Sequence, residues 1–415
     1  MPPTTSTTTS DYDPFEEFSR AQGAGEIDDP YPDFARYRAA SPLVEIDPAT
    51  GEIVEPGSPR DTPTGFAAVS YDAVQEVLRD GERFSSAMYR ATMGPVMGHS
   101  ILEMDEPEHA RHRALIQQAF TKRALERWEH DLVRPTIDAL IDRIAERGRA
   151  DLVRELTFPF PVMVIAEMIG LPESRLADFH RWAVELISIQ IDPERGMAGS
   201  QNLRALFAEV LAERRAEPRQ DLMSVLAGAE LDGQQLDDES IFAFLRLLAP
   251  AGAETTYRSS SNLLVGLLGD PDSWDAVSND RSLVANAIEE GLRWECPLTG
   301  IIRTATRDTE VCGVPVADQT AILVNLGSAN HDEAKFASPR RFDVRRPNAR
   351  QHLAFAFGPH RCLGQHLAIM ETRVLLEQLF TRLPNLRLDP EAPAPAITGL
   401  MFRSPPKLEV VFDPR

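Results

Sequence analysis

Apolar residues recur at intervals of three and four along much of the chain, so helices dominate the expected structure. The clearest cases are 131–147 (DLVRPTIDALIDRIAER), 201–215 (QNLRALFAEVLAERR) and 365–383. Strand-like runs are shorter, at 65–69, 309–316, 321–325 and 408–412. Pro and Gly mark loops at 270–275 and over 339–350. No internal repeat or linker divides the chain. The pattern predicts a mainly α fold with small β-sheets, one domain over 26–415, behind a disordered or loosely attached tail over 1–25.

The segment 241–268 is the most unusual helix candidate. Asp237, Asp238 and Ser240 offer capping groups, and IFAFLRLLA is apolar nearly all round, as in a helix that crosses a core. Its middle, APAGAETT, sets Pro250 and Gly252 where a helix least accommodates them. Proline removes a backbone donor and clashes with the preceding turn, at roughly 3 kcal/mol. Two arrangements follow: a buried helix broken beside Glu254, Thr255 and Thr256 to form a groove, or two helices joined by a turn.

Composition narrows the class. The 415 residues are 43% hydrophobic and 26% charged, enough for a large core. A formal charge of −21 argues against nucleic acid and anionic membrane surfaces as partners. No apolar run approaches the roughly 18 residues of a membrane span, and the polar start MPPTTSTTTSDYD is unlike a secretory leader. A soluble, cytoplasmic protein is expected.

The three cysteines, Cys296, Cys312 and Cys362, are too few and too scattered for a disulfide framework or a zinc site. Cys296 precedes Pro297 and Cys312 lies in a strand-like run, and both read as packing residues. Cys362 is framed differently, in HLAFAFGPHRCLG at 352–364. A free cysteine is usually a small buried hydrophobe. As a hydrolytic nucleophile it needs an aimed base, and His360, two residues away on a loop, has no evident orienting partner. As a metal ligand, a single thiolate suits the axial position of a haem iron. Gly358 and Gly364 let the backbone approach a flat cofactor. The following run LGQHLAIMETRVLLEQLF places the sulfur at a helix N-terminus, where unpaired amides stabilise a thiolate. The surroundings favour the third role.

At this point the sequence resembles a known family, the cytochrome P450 monooxygenases. HLAFAFGPHRCLG is similar to their haem-binding loop: Phe355, Gly358, His360, Cys362 and Gly364 match, while Ala356 stands where a glycine is usual. EGLR, Glu290 to Arg293, resembles the family's Glu-x-x-Arg pair, with Arg346 as third member. AGAETT, with Ala251, Gly252, Glu254 and Thr255, resembles the central-helix motif whose acid and alcohol stand over the haem. DEPEHARHR resembles the segment whose histidine and arginine, here His109 and Arg113, hold a propionate. Arg303 and His360 occupy further propionate positions. SANHDEAKF at 328–336 extends the likeness, which runs from about residue 30 to the C-terminus.

The resemblance implies the cytochrome P450 fold, with haem b between the central helix and the Cys362 loop. It implies a monooxygenase that activates O2 and oxygenates a small to medium apolar substrate. Cys362 would be the axial ligand and Glu254 and Thr255 would deliver protons. Met93, Val96, Met97, Leu248, Leu298, Ile301 and Met401 would line the substrate pocket. With no flavin or nicotinamide domain in the sequence, electrons would come from a separate ferredoxin and ferredoxin reductase. Arg361, Arg111, Lys122 and Arg123 are candidate docking contacts, and a monomer is expected. Two rivals remain: a hydrogen-peroxide-driven peroxygenase, against which Glu254 and Thr255 argue, and a haem-binding sensor without turnover.

Overall fold

A helix of 32 residues, Asp238–Gly269, runs through the middle of the molecule in the computed structural model, which describes residues 12–47, 54, 65–231 and 233–414. At 1.5 Å per residue it is about 48 Å long. Asp237 caps it, accepting a hydrogen bond from the Ser240 amide at 2.8 Å. Helices Pro159–Ile169, Leu176–Ile187, Pro193–Ala216, Val284–Trp294 and Gln365–Arg382 pack around it. Their apolar faces bury Leu245, Leu264 and Leu267 completely, each contributing about 1.5–3 kcal/mol.

Neither a turn nor a break interrupts this helix: it is continuous through Pro250. The proline withdraws one donor without ending the helix. Gly252 then lets Pro159–Ile169 come close, since a Cβ there would lie 2.7 Å from Cδ1 of Ile165.

The largest sheet has five short strands in the order Leu43–Ile46, Gly65–Ala68, Ala321–Asn325, Gly300–Ala305 and Phe84–Ser85. Gly65–Ala68 and Ala321–Asn325 run parallel, and the other pairs are antiparallel. Helix Tyr71–Arg79 packs on this sheet through Val74, Val77 and Leu78 to form a second, smaller core. A three-stranded sheet joins Arg387–Leu388, Glu409–Val411 and Arg149–Asp151. The fold is thus mainly helical with small sheets, as the periodicity predicts.

Four local expectations change. The helix predicted over 131–147 ends at Asp142, because the chain turns at Gly148, φ +71°, into strand Arg149–Asp151. The loop predicted at 270–275 opens a helix, Pro271–Asn279, with proline in the first turn where its missing donor costs nothing. The run 309–316 is a hairpin, Thr309–Val311 with Val314–Val316, and Cys312 sits in its turn at φ +48°. Cys312 is therefore exposed and not a packing residue, whereas Cys296 is buried. Residues 1–11 of the expected tail lie outside the described residues. Within the rest of it, helix Pro14–Ala21 buries Phe18, which meets Phe402 edge-on at 5.3 Å.

Candidate active site

A cavity of about 310 Å³ lies between the central helix and the loop that carries Cys362. Its helical wall is Leu247, Leu248, Ala251, Gly252 and Thr255. These positions recur at helical spacing, so one face of an otherwise buried helix is open. The facing wall includes Phe355, Ala356, His360, Cys362 and Gly364. Leu298, Ile301 and Arg303 close one side, and His109 and Arg113, from helix Glu108–Gln117, close the other.

The loop holds its shape through two backbone bonds, Ala356 N to Leu353 O and Cys362 N to Phe355 O, both 2.8 Å. Ala356 sits in the left-handed region at φ +56°, so the turn keeps its glycine-like backbone despite the methyl group. Gly358, φ +72°, serves a different contact from the one expected. A Cβ there would lie 2.2 Å from the carbonyl oxygen of Leu78, so the glycine lets the loop dock on helix Tyr71–Arg79 and not on a cofactor. Gly364 has an ordinary φ of −81°, and a Cβ on it would meet nothing within 4 Å. Its open side belongs to the cavity wall.

Cys362 is a free thiol open to the cavity, three residues before the start of helix Gln365–Arg382. Burial among protein atoms pushes the thiol up, while the amides of Gly364 and Gln365 and the guanidinium of Arg113 pull it down. The helix N-terminus therefore acts in the expected direction, but desolvation outweighs it in the unligated thiol. A cation bound at the sulfur would reverse that balance.

Four basic groups gather at one end of the cavity. His109 and His360 stack with centroids 3.9 Å apart. Burial, then Arg303, His109 and Arg113, push His360 down to about 3, so it is neutral. Arg113 donates to the Arg361 carbonyl at 2.6 Å and Arg303 to the Ile302 carbonyl at 2.8 Å. The buried Nε2 of His109 has no hydrogen-bond partner among the described residues. Two guanidinium groups beside a buried, unpaired ring nitrogen fit the carboxylates of a haem, and the open side of Gly364 fits its plane. The residues present suit the cofactor.

The acid and the alcohol of AGAETT separate. Thr255 faces the cavity and donates to the Ala251 carbonyl at 2.7 Å. Glu254 is not part of the cavity lining: one position earlier is about 100° round the helix. It is buried against Arg258 at 3.3 Å, with His180 Nε2 at 3.9 Å.

Glu290 and Arg293 form the expected pair with both side chains fully buried, at 2.7 and 2.8 Å. Arg346 joins them, its Nε 3.0 Å from both carboxylate oxygens. The arginines also donate to carbonyls of the 339–341 meander, which this knot holds in place.

Of the expected pocket residues, Leu248, Leu298 and Ile301 line the cavity. Met93, Val96, Met97 and Met401 do not. The short helix Gly94–Met97 turns Val96 and Met97 into the core beneath Pro193–Ala216, Met93 packs beside them, and Met401 covers Gly300. Ile101 and Leu102 take their place at the wall. Tyr89 and Thr256, which the sequence sets beside the groove, also line the cavity, whereas the sequence reading missed Glu371. Glu371 projects from the helix after the thiol, and burial pushes its carboxyl well above the ordinary range against a hydrogen bond from Thr256. Its spacing from Cys362, Q-H-L-A-I-M-E, shows a charge on the buried side of a helix, which is a readable signal.

Comparison with known proteins agrees with this geometry. Residues 195–410 match the family model for cytochrome P450. The steroid C26-monooxygenase of Mycolicibacterium smegmatis is 37% identical over 359 residues, covering 84% of this chain and 88% of the relative. The cytochrome P450 monooxygenase PikC of Streptomyces venezuelae is 32% identical, covering 90% and 89%. Among solved structures, a cytochrome P450 of Chondromyces apiculatus superposes with TM-score 0.83 at 33% identity, over 95% of this chain and 98% of that one. CYP109E1 of Bacillus megaterium in complex with testosterone gives 0.81 at 29% identity, over 93% and 99%. With a thiol, a cation cluster and an open helix face arranged around one cavity, this chain belongs to the cytochrome P450 family of haem-dependent monooxygenases.

Proposed function

We propose that this chain holds haem b through Cys362 and oxygenates a rigid apolar substrate of about steroid size, with electrons from a separate ferredoxin. The carrying observation is the placement of Cys362 opposite an open helix face across one cavity. His109, Arg113, Arg303 and His360 would hold the propionates, the arginines by charge and His109 through its unpaired Nε2. When bound, the cofactor supplies the activation of dioxygen and its insertion into a C–H bond.

The chain's own residues then have separable tasks. Thr255, the hydroxyl on the open helix face, holds a proton at the reacting end of the cavity, and Glu254 supplies protons from behind. Phe244, Leu247, Leu248, Leu298 and Ile301 exclude water and favour an apolar guest. Relatives named for steroid oxidation, and a structural neighbour crystallised with testosterone, support a fused-ring substrate. Arg361, Arg111, Lys122 and Arg123 are exposed, and a basic surface near the thiol suits an acidic electron carrier. Its rate should fall with ionic strength.

The test is a titration of the ferric holoenzyme with testosterone, corticosterone and a macrolactone, read as the change in iron spin state. Saturable conversion by a steroid supports the reading. Conversion by the macrolactone alone would move the substrate class, and no conversion by any of them would count against an apolar ring substrate.

A further inference from the structure

Glu254 has a second neighbour that its position in AGAETT does not explain. One carboxylate oxygen pairs with Arg258 at 3.3 Å. The other, Oε1, is buried without a hydrogen-bond partner among the described residues. It points toward His180 of helix Leu176–Ile187, whose Nε2 is 3.9 Å away. The His180 ring is itself held between Phe15, at 4.3 Å, and Phe158, at 4.8 Å.

His180 also lines a surface groove formed with Phe15, Phe158, Met163 and Leu176. The groove and the Cys362 cavity share no lining residue. One imidazole thus stands between open solvent and a buried carboxylate, and that carboxylate precedes the hydroxyl that faces the reaction cavity. The gap exceeds the 2.7–3.2 Å of a hydrogen bond by roughly an ångström, within reach of a small side-chain rotation.

We propose that His180 is the entry residue of a proton path that runs from this groove through Glu254 to the cavity. The inference rests on the reading of Glu254 and Thr255 as proton donors. The step balances: a solvated proton from the groove adds to the ring nitrogen of His180 distal to Glu254, the Nε2–H bond breaks, an O–H bond forms at Glu254 Oε1, and the imidazole is left neutral. Rotation of the carboxylic acid, freed at Oε1, then carries the proton toward Thr255. His180 acts through Glu254 and is a positioning residue. The charged groups around the path are Arg258 from the central helix, and Arg143, Arg154, Glu155 and Glu173 along the groove. Arg258 keeps Glu254 oriented, with further hydrogen bonds to Ser404 and Ser19 at 2.9 and 3.3 Å.

Two measurements test this. In the diamagnetic ferrous carbon monoxide holoenzyme, labelled with ¹⁵N-histidine, the His180 Nε2 resonance should move in Glu254→Gln and stay in Glu173→Gln. An unmoved resonance in Glu254→Gln overturns the proposal. The second is product formed per electron pair in His180→Phe, which keeps the aromatic packing and removes both nitrogens. The expected fall is about tenfold, below the roughly hundredfold contributed by a general acid itself, with a raised solvent deuterium effect and an altered pH profile. If Glu254→Gln lowers coupling and His180→Phe does not, protons enter elsewhere: the proposal fails and the role of Glu254 stands. If neither lowers coupling, the role of Glu254 fails, and the proposal with it.

Discussion

His109 and His360 stack at 3.9 Å while the buried Nε2 of His109 meets no partner among the described residues. A buried polar nitrogen left unpaired costs about 1–3 kcal/mol, which a hydrogen-bond partner at that point recovers. His109→Phe keeps the stack and removes both ring nitrogens. Haem should then dissociate about tenfold faster, the equivalent of about 1.4 kcal/mol, measured as transfer to a haem-scavenging apoprotein. An unchanged rate would reduce His109 to packing.

Ala356 carries a methyl group at φ +56°. Left-handed backbone costs an L-residue roughly 1–2 kcal/mol, partly offset by the unfolded-state freedom a glycine would add. Ala356→Gly should stabilise the holoenzyme by about 0.5–1 kcal/mol in urea unfolding. A loss of stability would mean that the methyl contact inside the cavity outweighs the strain.

Glu290 neutralises two buried guanidinium groups, Arg293 and Arg346. Glu290→Gln leaves both without a counter-charge in a site that excludes water. The expected loss is about 3–5 kcal/mol, seen as poor haem incorporation and early thermal unfolding. A variant as stable as the parent would contradict the structural role of this knot.

His331 is buried, stacked on Tyr31 at 3.7 Å, and burial and then Arg293 push it well below the ordinary value of 6.5. The folded chain keeps it neutral where the unfolded chain takes up a proton. Stability is therefore lost as pH falls through 6.5, by up to about 1.4 kcal/mol per unit. His331→Gln should flatten that acid slope between neutral pH and about pH 5. An identical slope in the variant would assign the acid loss to other groups.

Much of this was legible in the sequence for a physical reason: contiguous motifs carry their own geometry. The Cys362 loop, the Glu290–Arg293 pair and the 3.6-residue pattern of the central helix each fit within one turn or one element. What the sequence hid depends on direction. Glu254 and Thr255 are neighbours in the chain, yet the helix turns one to the cavity and the other to His180. Val96 and Met97 are as apolar as Ile101 and Leu102, and only the path of a short helix decides which pair faces the cavity. Cys312 and Gly313, at φ +48° and +79°, make a tight hairpin turn. The Asn or Asp that usually flags such a turn is missing there. Asp270-Pro271 starts a helix with the same residues that elsewhere end one.

The central claim is that Cys362 is the haem ligand, and the reduced carbon monoxide difference spectrum tests it most directly. The account predicts the long-wavelength Soret band of thiolate-ligated haem in the parent, and its loss in Cys362→His even where haem is retained. A parent protein that binds no haem, or that shows the short-wavelength band of a nitrogen-ligated haem, would contradict it.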